Sequence, residues 1–116
     1  MLRQFRRLLT TTEYNKVSET AMNNLLDSFE LIEQGTDCDV EYAAGVLTVK
    51  MKEIGTYVIN KQPPNKQIWL SSPISGPKRY DYFDNKWVYL RDKVPLDELL
   101  SKELSEELKT EIKINI

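Results

Sequence analysis

Eight carboxylates fall between residues 13 and 41: Glu13, Glu19, Asp27, Glu30, Glu33, Asp37, Asp39 and Glu41, with Lys16 the one base among them. Oxygen ligands without nitrogen or sulfur companions suit hard cations such as iron, manganese, calcium or magnesium, held weakly where the site is open to water. A bound cation would relieve the repulsion within such a run, so Glu19, Asp27, Glu30, Glu33, Asp37 and Asp39 are the candidate metal ligands. The plainer alternative is the solvated face of an amphipathic helix. That alternative is stronger near the C-terminus, where Glu98, Lys102 and Glu106 alternate in sign at four-residue spacing.

A second cluster lies in NKQPPNKQIWLSSPISGPKRYDY, residues 60 to 82. Side chains alternate faces along a strand, so Ile68 and Leu70 share the apolar face while Gln67, Trp69 and Ser71 share the other. In the preceding strand Tyr57 and Ile59 take the apolar parity, and Thr56, Val58 and Asn60 the opposite one. Trp69 is thus expected on an open face, with Asn60 and Gln62 nearby and Arg79 soon after. An exposed indole among amides with an arginine has the composition of a protein-binding hot spot. Stacking of nucleic-acid bases, helped by Lys61, Lys66, Lys78 and Arg79, is the weaker option, since the chain has a net charge of -2 and no recognised RNA motif.

What is missing narrows the chemistry further. The chain has no histidine and one cysteine, Cys38, which excludes a Ser-His-Asp triad, a Cys-His pair, a conventional zinc site and an internal disulfide framework. Cys38 stands between Asp37 and Asp39, whose charge disfavours a thiolate, so it is expected to be an inert thiol near a strand start. No run approaches the roughly 18 apolar residues of a membrane span. With 116 residues, 41% hydrophobic and 29% charged, one ordinary domain over residues 13–116 is expected. The opening MLRQFRRLLTTT, residues 1–12, has three arginines and no acid; it reads as a short mitochondrial-type presequence or as an ordinary loose N-terminus.

Two helices and a set of strands must position these groups. Tyr14, Val17, Ala21, Leu25, Phe29 and Ile32 recur at three- and four-residue spacing, predicting a helix over Glu13 to Gln34 with Gly35 as its stop. At about 100° per residue, Glu19, Asp27, Glu30 and Glu33 fall roughly opposite that stripe, and Asp37, Asp39 and Glu41 extend the acidic ridge. Six β-rich runs follow: DVEY, GVLTVKM, GTYVINK, QIWLSS, KRYDYF and KWVYLR, joined by hairpin-length turns. A final helix is predicted through Leu96, Leu99, Leu100, Leu104, Leu108 and Ile112, with Pro95 at its first helical position. Two helices flanking a meander can both cover one sheet face, which gives an α+β two-layer sandwich with the other face open.

The residues that compose this plan also resemble a known family. GVLTV at 45–49, GTYVINKQPPNKQIWLSSPISGPKRYDY at 55–82 and WVY at 87–89 are similar to the central sheet of the frataxins, and weaker similarity runs from about Glu13 to about Leu108. The resemblance implies a mitochondrial-type frataxin, in the matrix or a mitochondrion-related organelle, with N- and C-terminal helices on one face of an antiparallel sheet. It implies an iron-binding accessory protein that docks on the cysteine desulfurase and iron-sulfur scaffold protein and accelerates sulfur transfer. Asn60, Gln62, Gln67, Trp69 and Arg79 match the family's partner-binding surface, and Glu19, Asp27, Glu30, Asp37 and Asp39 fall within its acidic ridge. Iron, as Fe2+ or Fe3+, would be weakly bound, in a chain that is mainly a monomer with iron-driven oligomers.

An iron chaperone or ferroxidase acting through the ridge is the alternative, with a non-catalytic activator as the main expected role. Thr20, Asn23 and Leu31 are neutral where the family often has acids. The chain ends soon after the last helix, so larger side chains are expected to close the gap between the helices.

Overall fold

In the computed structural model, which describes residues 9–116, both predicted helices form and the β-rich runs pair as a continuous meander. Residues 1–8 of the presequence-like stretch lie outside the described residues. The first helix, α1 (Thr11–Gly35), begins two residues ahead of Glu13 because Thr10 and Glu13 form a reciprocal capping box. The Glu13 amide donates to Thr10 Oγ1 at 3.1 Å and the Thr10 amide to Glu13 Oε1 at 2.9 Å. Its predicted stripe is the buried one: Tyr14, Ala21, Leu25, Phe29 and Ile32 are core residues, joined by Met22, while Val17 is partly covered.

Seven strands run in sequence order in one antiparallel sheet: β1 (Cys38–Ala43), β2 (Val46–Met51), β3 (Gly55–Gln62), β4 (Gln67–Ser72), β5 (Gly76–Phe83), β6 (Lys86–Tyr89) and β7 (Val94–Pro95). The first six are the predicted runs; the two-residue β7 is too short to leave a sequence period. Leu47, Val49, Tyr57, Ile59, Ile68, Leu70 and Tyr80 alternate inward and are buried, which is the period-two pattern of a sheet covered on one side. Gly55, at φ +124°, begins β3 where a Cβ would lie 2.8 Å from the Pro73 ring, so the close approach of the β2–β3 and β4–β5 turns needs glycine there.

The second helix, α2 (Leu96–Leu108), departs from its prediction at both ends. Pro95 is not its first helical residue: at φ -66° and ψ 152° it is extended, pairs with Val88 and serves as the N-cap position. Proline's fixed φ suits either place, and the strand pairing decides between them. At the other end Lys109 takes a left-handed conformation, φ 54°, and its amide bonds to the Ser105 carbonyl, ending the helix before Ile112.

The chain then doubles back, and the gap between the helices is closed by this tail, correcting the expectation of larger helix side chains. The Ser105 hydroxyl accepts from the Ile112 amide at 2.8 Å, Ser101 Oγ accepts from the Ile114 amide at 2.9 Å, and Ser28 Oγ on α1 accepts from the Asn115 amide at 3.3 Å. Ile114 is 2% exposed. Serines facing the gap are too small to fill it, so they bond the tail's backbone while isoleucine supplies the apolar volume.

Buried tyrosines make the fold sensitive to alkali. Burial pushes the Tyr57 and Tyr80 hydroxyls well above their ordinary value of 10.0, and the hydrogen bond to Glu103 adds to the effect on Tyr57. A hydroxyl that ionises more readily in the unfolded chain stabilises the fold below the unfolded value, and that contribution is lost as pH rises beyond it. Urea midpoints are therefore expected to hold up to about pH 10 and fall above it. The fall should be shallower in Tyr57→Phe, and equal slopes for the two proteins would contradict the assignment.

Candidate functional site

Strand register gathers the open-face residues into rows. Val46, Asn60, Trp69 and Arg79 are successive cross-strand partners over β2, β3, β4 and β5; Gln62, Gln67 and Asp81 form the neighbouring row. All five predicted partner-binding residues, Asn60, Gln62, Gln67, Trp69 and Arg79, therefore lie on one patch of the uncovered face.

Trp69 is held in a defined pose and is half-buried rather than fully exposed. Its indole N–H donates to Gln67 Oε1 at 2.8 Å, and Gln67 Nε2 in turn donates to Asp81 at 3.2 and 3.3 Å. The Arg79 guanidinium carbon sits 4.5 Å from the indole centroid, a cation–π contact that covers one ring face. Asn60 Nδ2 donates to the Lys61 carbonyl at 3.2 Å and to Gln62 Oε1 at 3.5 Å. These bonds fix the side chains in one arrangement before any ligand is present, which lowers the ordering entropy that binding at this face would cost. Asp81 is not among the residues expected from amide and basic composition, although its parity with Arg79 along KRYDYF puts it on this face.

The strand ends beneath this patch are anchored from the helix layer. The Tyr14 hydroxyl accepts from the Gln62 amide at 3.1 Å and donates to the Gln67 carbonyl at 2.8 Å, bridging β3 and β4 where the 3-10 turn Pro63–Asn65 joins them. Tyr14 also meets Trp87 edge to face, with centroids 6.2 Å apart. A buried side chain of the first helix thus ties together the strand ends that carry Gln62 and Gln67 on the opposite face.

The six candidate metal ligands are not brought to one centre. Glu19 accepts from the Lys61 ammonium at 3.0 Å and from the Tyr42 hydroxyl at 3.3 Å, so its charge is already compensated. Glu33 accepts from the Val40 amide at 3.1 Å and ties the end of α1 to β1. Asp37 makes a loose, exposed pair with Lys52 at 3.8 Å, worth at most about 1 kcal/mol. Asp27, Glu30 and Asp39 stand exposed. Among the described residues no group of three or more His, Cys, Asp or Glu side chains is arranged to hold a metal ion. Such carboxylates can engage a cation one or two at a time, through water. Cys38 is buried, and burial, with Glu33, Asp39 and Asp37 close by, pushes its thiol up to about 11, as an inert thiol requires.

Two helices covering one face of an antiparallel meander, with an oriented indole on the other, define a two-layer α+β module with one open sheet face. The frataxin-like domain model matches residues 7–110, and the chain belongs to that family. It is 48% identical over 99 residues to the mitochondrial frataxin homolog of Saccharomyces cerevisiae, covering 83% of this chain and 57% of that one. With the mitochondrial frataxin of Caenorhabditis elegans it shares 48% identity over 103 residues, or 84% and 76% of the two chains. The match thus spans little more than half of the yeast relative.

Among solved structures, trimeric yeast frataxin complexed with ferrous iron is 39% identical with a TM-score of 0.74, covering 91% of this chain and 92% of that one. A frataxin from Psychromonas ingrahamii, at 22% identity and TM-score 0.77, shares the fold. The mitochondrial names of the curated relatives agree with the expected organelle. Among the described residues no helix is long and apolar enough to cross a membrane.

Proposed function

We propose that this chain is an iron-binding accessory protein of iron-sulfur cluster assembly, which docks through its open sheet on a cysteine desulfurase and its scaffold protein and accelerates sulfur transfer. The observation that carries the proposal is the pose of Trp69: an indole on an uncovered sheet, pinned by Gln67 and stacked by Arg79, at the centre of the matching residues. Such an anchor enters a partner's pocket with little further ordering. The exposed acids Asp27, Glu30, Asp37 and Asp39 then bind iron weakly, and their field steers the protein toward basic partner surfaces. The setting is the mitochondrial matrix or that of a related organelle. The chain works mainly as a monomer and associates further when iron is bound.

An iron chaperone or ferroxidase is the second reading, favoured by the ferrous iron in the trimeric yeast relative. The experiment is the cysteine-dependent sulfide or cluster-formation rate of a desulfurase–scaffold complex, with and without wild type and Trp69→Ala. Stimulation by wild type is expected to fall to near the unstimulated rate with the alanine variant, whose circular dichroism and melting should stay close to wild type. Undiminished stimulation by Trp69→Ala would refute the docking surface. If folded wild type gives no stimulation, the second reading replaces the first.

A further inference from the structure

The open face holds a groove of about 680 Å³ beside Trp69, with an unusual balance of charge. Val58, Trp69 and Pro77 supply apolar lining, while Lys78, Arg79 and Arg91 supply three positive charges, and the lining includes no carboxylate. This occurs in a chain whose net charge is -2. Among the described residues none of these three cations forms an ion pair. Arg79 lies on the Trp69 ring, and the Lys78 ammonium donates to the Ser75 carbonyl at 3.2 Å. The acids closest in sequence are engaged elsewhere: Asp81 accepts from Gln67, and Asp92 accepts from the Val94 amide at 2.9 Å. Among the described residues, then, no carboxylate lines the groove or forms an ion pair with its three cations.

We infer that this groove receives a carboxylate-bearing segment of the partner protein, with Arg91 as a recognition residue beyond those matched by the family motif; the inference rests on the docking function proposed above. A guanidinium presents a planar fork that fits a carboxylate bidentately, and the apolar lining accommodates the methylenes of Asp or Glu and an adjoining side chain. A single-stranded nucleic acid fits less well, because the chain carries a net charge of -2 and Arg79 already occupies one of the two indole faces. Arg91 follows β6 and lies outside the 55–82 stretch, so only the fold brings it to Trp69.

The test is the affinity of the chain for the desulfurase–scaffold complex at ionic strengths of about 0.05 and 0.5 M, for wild type, Arg91→Glu, Arg91→Lys, Lys102→Glu and Trp69→Ala. Arg91 and Lys102 are both exposed, so charge reversal leaves the fold intact, and Lys102, on α2, controls for net charge. At low salt Arg91→Glu should weaken binding about tenfold or more, Arg91→Lys about threefold, and Lys102→Glu less than twofold, with the Arg91 differences shrinking at high salt. Equal weakening by Arg91→Glu and Lys102→Glu would reduce the effect to overall charge and overturn the inference. If Trp69→Ala abolishes binding while Arg91→Glu matches wild type, docking stands and the acidic segment falls. If wild type does not bind, both fall. Displacement of the complex by a single-stranded RNA at comparable concentration would also overturn the assignment to a protein segment.

Discussion

Glu103→Ala is expected to destabilise the fold by about 2–4 kcal/mol, although the residue lies far in sequence from the strands it bonds. Glu103 is 6% exposed on α2, and its Oε1 accepts from the Tyr57 hydroxyl at 2.8 Å and from the Ser72 hydroxyl at 2.7 Å. Ser72 Oγ in turn accepts from the Ile74 and Ser75 amides, both at 3.0 Å, so one carboxyl group organises β3, the end of β4 and the turn into β5. Alanine strands two donors, each worth about 1–3 kcal/mol when left unpaired in the interior, and opens a cavity. Release of a buried acid offsets part of the loss.

Glu103→Gln keeps an acceptor and should lose about 1 kcal/mol or less. Tyr57→Phe in the alanine background should recover part of the loss, since it removes one stranded donor. Urea unfolding of the three variants decides the matter. An alanine variant within about 0.5 kcal/mol of wild type would show that this network contributes little.

The tail should matter almost as much. Ile114→Ala is expected to lower stability by about 2–4 kcal/mol, equivalent to a melting temperature lower by roughly 10 °C, because a buried isoleucine leaves a cavity that two helices cannot easily collapse. Ile116→Ala, at a partly exposed position, should lose less than half as much. Deleting residues 112–116 should exceed either, since Ser28, Ser101 and Ser105 then lose the backbone groups they bond. Thermal unfolding of the three proteins tests the order. If the deletion melts with wild type, the tail lies on the helices without stabilising them.

What was legible from residues 9–116 was whatever repeats with a backbone period. The stripe Tyr14, Ala21, Leu25, Phe29 and Ile32 defined a helix face at 3.6 residues per turn, and the alternation in GTYVINK and QIWLSS placed Trp69 and Asn60 on the open face. These periods are local properties of the chain, so they needed no knowledge of neighbours. The central segment was also distinctive enough to indicate the family.

Only the tertiary structure decided which like residues are equivalent. Six acids that look alike along the chain divide into a paired Glu19, a bonded Glu33, a loosely paired Asp37 and the exposed Asp27, Glu30 and Asp39, because Lys61, Tyr42, Val40 and Lys52 reach them from other elements. The early end of α2, the tail between the helices, Asp81 beside Gln67 and Arg91 in the Trp69 groove share that origin. Each depends on contacts between segments distant in sequence, whose partners no local period specifies; register and packing fix them when the sheet and helices close on one core.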